Sequence, residues 1–137
     1  MFKLTGRKKN FEVTSNGFIT RIYNKKKSFL ITIKSKFEKY SLLDSEIAFL
    51  LAVCDALSAN NIPATINATR LSDGTLNVEY GLWQIGRVRL QKKKHSMQVL
   101  YKNDDIKWFD GELDDFLKSI PDWIQYLKFV IKQHSNF

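Results

Sequence analysis

From Ser28 to Phe37 apolar and polar residues alternate, with Phe29, Ile31 and Ile33 on one parity and Leu30, Thr32, Lys34 and Lys36 on the other. Side chains of a strand point alternately to its two faces, so this run predicts a strand with one apolar face. Upstream, Phe2 to Thr5 and Asn10 to Ser15 read as short strands. Asn16-Gly17 reads as a tight hairpin turn, because both residues tolerate positive φ. Phe18 to Asn24 is the next strand, and Lys25, Lys26 and Lys27 form its turn. The period then changes. Ile47, Leu50, Leu51, Cys54 and Leu57 make one apolar stripe and predict a helix over 44–60. Ser41 or Asp44 would cap it, and Asn60-Asn61 with Pro63 would end it.

The second half follows a similar plan. Thr65 to Leu71 is a strand, Asp73-Gly74 a hairpin turn, and Thr75 to Gln91 a long strand that bends near Gly81 or Gly86. The run Lys92, Lys93, Lys94 turns the chain into a strand on which Met97, Val99 and Tyr101 face inward. Ile106 to Phe109 closes the strands after the Asn103-Asp104-Asp105 turn. Leu113, Phe116 and Leu117 open a helical segment that Pro121 is expected to interrupt, because proline lacks the N–H a helix interior needs. A second helix would restart with Ser119 near its cap, its apolar face formed by Trp123, Ile124, Leu127, Val130 and Ile131.

Two segments read alike. ITRIYNKKKSFLITI begins at Ile19 and IGRVRLQKKKHSMQVLY at Ile85. Aligning these isoleucines pairs Arg21 with Arg87 and Ile22 with Val88, and sets the lysine triplets one position apart. The chain therefore reads as a single domain over 1–137, with one pseudo-repeat over 1–62 and another over 63–137. The expected class is α+β: two antiparallel sheets, each made of strands followed by a backing helix.

Charge sharpens this picture. The net charge is +8, and it segregates. Residues 1–39 carry eleven Lys or Arg and two acids; residues 40–63 carry three acids and no base. Residues 64–103 carry seven bases and two acids; residues 104–137 carry four bases and seven acids. The strand-rich segments are basic and the helical segments acidic, which is the electrostatic footprint of a polyanion binder. Ten Phe, five Tyr and three Trp supply ample material for a core. No apolar run reaches the roughly 20 residues of a membrane span. MFKLTGRKKNFEV lacks the apolar run of a signal peptide, and the lone Cys54 admits no internal disulfide. These features point to a cytoplasmic protein, and the frequent Lys, Ile and Asn to an AT-rich bacterial or viral genome.

Parity nominates the binding face. Trp83, Ile85, Arg87, Arg89 and Gln91 share one side of their predicted strand; Gly86, Val88 and Leu90 share the other. The matching strand in the first half sets Ile19, Arg21 and Tyr23 together. If the even residues of the longer strand face the helices, the outer surface carries Arg21, Tyr23, Lys34, Lys36, Trp83, Arg87 and Arg89. The lysines 25–27 and 92–94 would rim it. Arg and Lys neutralise phosphates, and aromatic rings stack on unpaired bases. Neither helical segment is basic enough to enter a major groove, so single strands are the expected target. His95 and His134 have no nucleophile beside them. The acids from Asp104 to Asp115 fit turn formers and helix N-terminal charge better than a metal site. No cofactor, metal or small-molecule substrate is expected.

This layout resembles the Whirly family of single-stranded DNA-binding proteins and a fused pair of the related positive-cofactor-four transcriptional coactivators. IGRVRLQKKKHSMQVLY looks like the coactivators' basic and aromatic strand, turn and apolar strand; ITRIYNKKKSFLITI is a poorer copy. The lysine triplets are the nearest counterparts of the Whirly lysine-rich strand motif, without its glycine or alanine. The resemblance implies binding of single strands with little sequence preference, and self-assembly to a homo-oligomer. The expected function is thus a non-enzymatic single-stranded DNA-binding protein of replication, recombination or transcription. The alternatives are an RNA-binding module, or a protein-interaction module using Trp123, Tyr126, Phe129 and Val130 of the C-terminal helix.

Overall fold

The computed structural model describes residues 11–26 and 28–135. The expected strand from Phe2 to Thr5 lies outside them. The first half gives β1 (Glu12–Asn16), β2 (Ile19–Tyr23), β3 (Phe29–Lys34) and α1 (Asp44–Ala59). The second gives β4 (Ala64–Arg70), β5 (Leu76–Tyr80), β6 (Trp83–Arg89), β7 (Ser96–Leu100), β8 (Ile106–Asp110) and α2 (Leu113–His134). The protein is α+β, but the strands of its described residues form one eight-stranded sheet in chain order, not two sheets. Neighbours pair antiparallel except β3 and β4, which run parallel. A parallel pair needs a long crossover, and α1 supplies it. That crossover joins the halves into one sheet.

The predicted long strand over 75–91 is a hairpin. Tyr80 faces Trp83 across a two-residue loop, Gly81-Leu82, with Gly81 at φ 61°. Gly17 does the same between Asn16 and Ile19, at φ 60°. Glycine in the first loop position suits a type II′ turn, whose twist matches that of the flanking strands.

Each strand turns one row of side chains toward the helices. Ile31, Ile33, Ile66, Ala68, Leu76, Val78, Val88, Met97 and Val99 are buried there. Phe49, Leu50, Val53 and Leu57 of α1 meet them, with Phe116, Ile120, Trp123, Ile124 and Leu127 of α2. The two helices also touch each other, Phe49 meeting Trp123 edge-on at 5.1 Å. Both therefore lie on one face of the sheet. Trp123 donates its indole N–H to the Gln98 carbonyl at 2.7 Å, so its ring is buried without an orphaned donor. Cys54 belongs to this layer; burial, then the Asp55 charge, pushes its thiol up to about 12. A thiol held protonated at neutral pH is a packing residue rather than a nucleophile.

Pro121 does not interrupt α2, which is one helix from Leu113 to His134. Ile120, Trp123 and Ile124 are buried on both sides of it and hold the flanking turns in place. Pro121 itself is exposed, so the carbonyl it leaves unpaired faces water. Helix α1 starts at Asp44, so neither Ser41 nor Asp44 is its N-cap. Its N-cap is Leu43, whose N–H is taken by the Glu46 carboxylate at 3.0 Å. In α2 the Asp115 carboxylate accepts the Glu112 N–H in the same way at 2.9 Å.

Glu46 has a second task. Arg70, the last residue of β4, points toward the helices and is fully buried with Glu46. Both terminal nitrogens of Arg70 bond this carboxylate, and Nη1 also donates to the Gly74 carbonyl. Gln91 donates to Glu46 at 2.9 Å and to the Ser41 carbonyl at 2.6 Å. This network ties the start of α1 to the ends of β4 and β6.

Candidate nucleic-acid interface

With both helices on one face, no described element covers the opposite face of the sheet, the open face. Register fixes what it displays. One row runs Thr14, Arg21, Thr32, Asn67, Glu79, Gln84 across six strands. The next runs Ile19, Lys34, Thr69, Asn77, Arg87. Gln98 and Trp108 continue the face on β7 and β8. Strands lie about 4.8 Å apart, so Lys34 and Arg87 stand roughly 14 Å from each other.

Parity thus places Arg21, Tyr23, Lys34, Arg87 and Arg89 on the uncovered face, as the sequence predicts. Trp83 is not there. Val78 pairs with Gly86 but Glu79 pairs with Gln84, so Ile85 is an extra, bulged residue. A bulge resets the alternation. Gln84 takes the outward position, where it donates to Gln98 at 3.1 Å. Trp83 turns toward the helices, packing on the core with its ring 4.9 Å from that of His134. The aromatic that takes the outward role is Trp108, half exposed on β8. Ile106 and Trp108 alternate with Lys107 and Phe109, which is the signal that marks it in the sequence.

The open face is not of one sign. Glu12 sits opposite Tyr23 and takes a hydrogen bond from its phenol, raising the tyrosine above its ordinary range. Glu79 accepts from Thr69 at 3.4 Å, and Arg87 donates to Asn77 at 3.3 Å. Arg89 pairs with Asp73 at 3.4 Å. Burial alone would raise Asp73, but the Thr75 N–H and hydroxyl and the Arg89 guanidinium outweigh it and hold its carboxyl low. Arg89 therefore keeps an ionised partner at neutral pH. Arg21 and Lys34 are exposed, and neither they nor Arg87 has an ion pair among the described residues. Asn67, Thr69, Asn77 and Gln84 fill the ground between them with amide and hydroxyl groups, while Gln98 is buried beneath them.

The lysine triplets do not rim this face as a pair. Strand directions set the β2–β3 turn, with exposed Lys25 and Lys26, at one end of the sheet. They set Lys92, Lys93 and Lys94 at the other, beside the N-termini of both helices. Lys27 lies outside the described residues. Lys94 pairs with Asp110 at 3.2 Å. Lys36 lies beyond β3, exposed, with its ammonium 5.8 Å from the Phe37 ring centroid. The acids between Asp104 and Asp115 are spread over a turn, the end of β8 and the first turn of α2, and His95 Nδ1 stands 3.3 Å from Glu112. Of the C-terminal helix face, Trp123 and Val130 are buried in the core; only Tyr126 and Phe129 remain partly exposed. Among the described residues no helix is long and apolar enough to cross a membrane.

Comparison of the chain with protein-family models, with curated proteins and with solved structures finds no match in any of the three.

Proposed function

We propose that the protein binds single-stranded nucleic acid, DNA in the first instance, on the open face of its sheet, and catalyses no reaction on it. One observation carries this reading. The face that the helices leave uncovered displays three cations without ion-pair partners among the described residues, Arg21, Lys34 and Arg87, set among amide side chains, with the rings of Tyr23 and Trp108 on the same side. Guanidinium and ammonium groups neutralise phosphates. Exposed rings offer stacking platforms to unpaired bases, and carboxamides offer both donors and acceptors to base edges. A sheet reads splayed bases; a duplex hides them. Glu12 and Glu79 lower the positive potential locally, which favours a modest, salt-sensitive affinity over tight non-specific binding. Among the described residues both outer strands lack a partner on their outer edge, with Val13 exposed on β1 and Ile106 on β8. Copies meeting there would lengthen the face, in keeping with the homo-oligomer that the Whirly-like layout implies. A role in replication, recombination or transcription follows from the ligand.

The test is the double variant Arg21→Ala, Arg87→Ala. A charge-assisted contact contributes roughly 1.5–3 kcal/mol, so losing two should weaken binding to oligothymidine by well over tenfold. The fold should hold, since neither side chain is in the core. Unchanged affinity in the folded variant would remove the open face as the binding surface. Matched DNA and RNA oligonucleotides in competition would separate a DNA from an RNA preference, because only RNA offers 2′-hydroxyls.

A further inference from the structure

The second concentration of lysines and aromatics lies on the other side of edge strand β8. The β7–β8 turn and the outward side of α2 enclose a groove of about 540 Å³. This falls in the range of small-ligand sites, roughly 300–1,000 Å³. Four lysines line it: Lys102 from the turn, Lys107 from β8, and Lys128 and Lys132 from α2. None of the four is ion-paired among the described residues. Asp105 and Asp122 share the lining and offset only part of this charge. Ammonium groups gathered in a concave site repel one another, and a bound anion relieves that repulsion.

The rest of the lining is aromatic. Tyr126 and Phe129 lie one helical turn apart on α2, half-buried, and face the groove with Tyr101. The Lys107 ammonium is 5.7 Å from the Tyr101 ring centroid, which sets a cation directly beside an aromatic wall. The turn is held by backbone bonds from the Tyr101 N–H to the Asp105 carbonyl (3.0 Å) and from the Asp104 N–H to the Tyr101 carbonyl (3.1 Å). The site is thus built on a fixed turn and a long helix.

We propose that this groove holds a nucleotide, its phosphate among the lysines and its base against Tyr126 and Phe129. A compact phosphate calls for converging ammonium groups, and a planar base calls for rings. An acidic peptide would use the first and leave the second without purpose. The groove's lysines and rings are none of the open-face cations or rings, so either site can fail alone. They do meet across β8, where Lys107 and Trp108 are consecutive and project to opposite sides. A single strand crossing the open face could therefore turn over β8 and leave a nucleotide in the groove.

Amide chemical shifts of the whole chain, titrated separately with thymidine monophosphate and with oligothymidine, test the proposal. The expected result is a cluster of shifts over residues 101–107 and 125–132. The variant Lys128→Glu, Lys132→Glu, changed only at exposed positions, should weaken that response at least tenfold. A response to the mononucleotide would mark a site for free nucleotides; a response to the oligonucleotide alone would mark an extension of strand binding. Shifts in neither segment with either probe, or shifts that survive charge reversal, would overturn the proposal. Shifts confined to β2, β3 and β6 would leave the open-face reading standing without it.

Discussion

Replacing Glu46 by alanine is expected to destabilise the fold by about 3–5 kcal/mol, the usual cost of leaving one member of a buried ion pair alone. Arg70 would keep its charge, because a guanidinium does not deprotonate, and it has no route to water from its buried position. Gln91 would lose its acceptor and Leu43 its N-cap bond in the same step. The loss would therefore exceed that of a typical cap, which is about 1 kcal/mol. Urea denaturation followed by circular dichroism reads the effect as a lower midpoint. Replacing both partners, Glu46→Leu with Arg70→Met, should recover most of the loss, since apolar groups of similar volume often match a buried pair. A single Glu46→Ala variant as stable as the parent would mean that the pair is solvated and that the helix–sheet junction is looser than described.

Gly86→Ala is expected to cost about 3 kcal/mol, at the upper end of overpacking effects. A Cβ at this position would lie 2.2 Å from the Trp123 indole. The ring has little freedom to move, being bonded to the Gln98 carbonyl and packed on Phe49. Trp123→Leu alone should be destabilising by roughly 3 kcal/mol through lost burial. Combined, the two should cost less than their sum, because the smaller side chain frees the space the methyl group needs. Thermal or urea unfolding of the four proteins closes this cycle. Strict additivity would show that Gly86 and Trp123 do not share the contact.

These two sites also mark where the sequence stops being legible. Alternation at Phe29, Ile31 and Ile33 locates β3, and the stripe from Ile47 to Leu57 locates α1, because each element buries one face and period follows geometry. The hairpin between β5 and β6 escapes this reasoning. Tyr80-Gly81-Leu82-Trp83 contains no polar turn residue, and a lone glycine signals a bend as readily as a turn. The bulge at Ile85 is harder still. One extra residue leaves composition unchanged but reverses parity upstream, which is why Trp83 reads as outward and is turned inward. Glu46 and Arg70 look like ordinary surface charges until the crossover brings β4 beside β3. At the candidate site, parity suffices for Arg21 and Lys34, whose strands carry no bulge, and for Arg87, which lies on the C-terminal side of the bulge at Ile85. Segment-by-segment charge does not suffice. It averages over both faces and both ends of the sheet, so it conceals Glu12 and Glu79 on the open face and the separation of the lysine triplets.

The central claim is that the open face holds a single strand chiefly through its cations. Fluorescence anisotropy of a labelled oligothymidine of about 30 nucleotides, long enough for several stacking contacts, measures this directly when titrated at several salt concentrations with duplex as competitor. Three phosphate contacts, from Arg21, Lys34 and Arg87, predict that log affinity falls against log salt with a slope of about −2, at roughly 0.7 per contact on a single strand. Excess duplex should displace little of the oligonucleotide. No binding at low salt, or equal competition by duplex, would contradict the account.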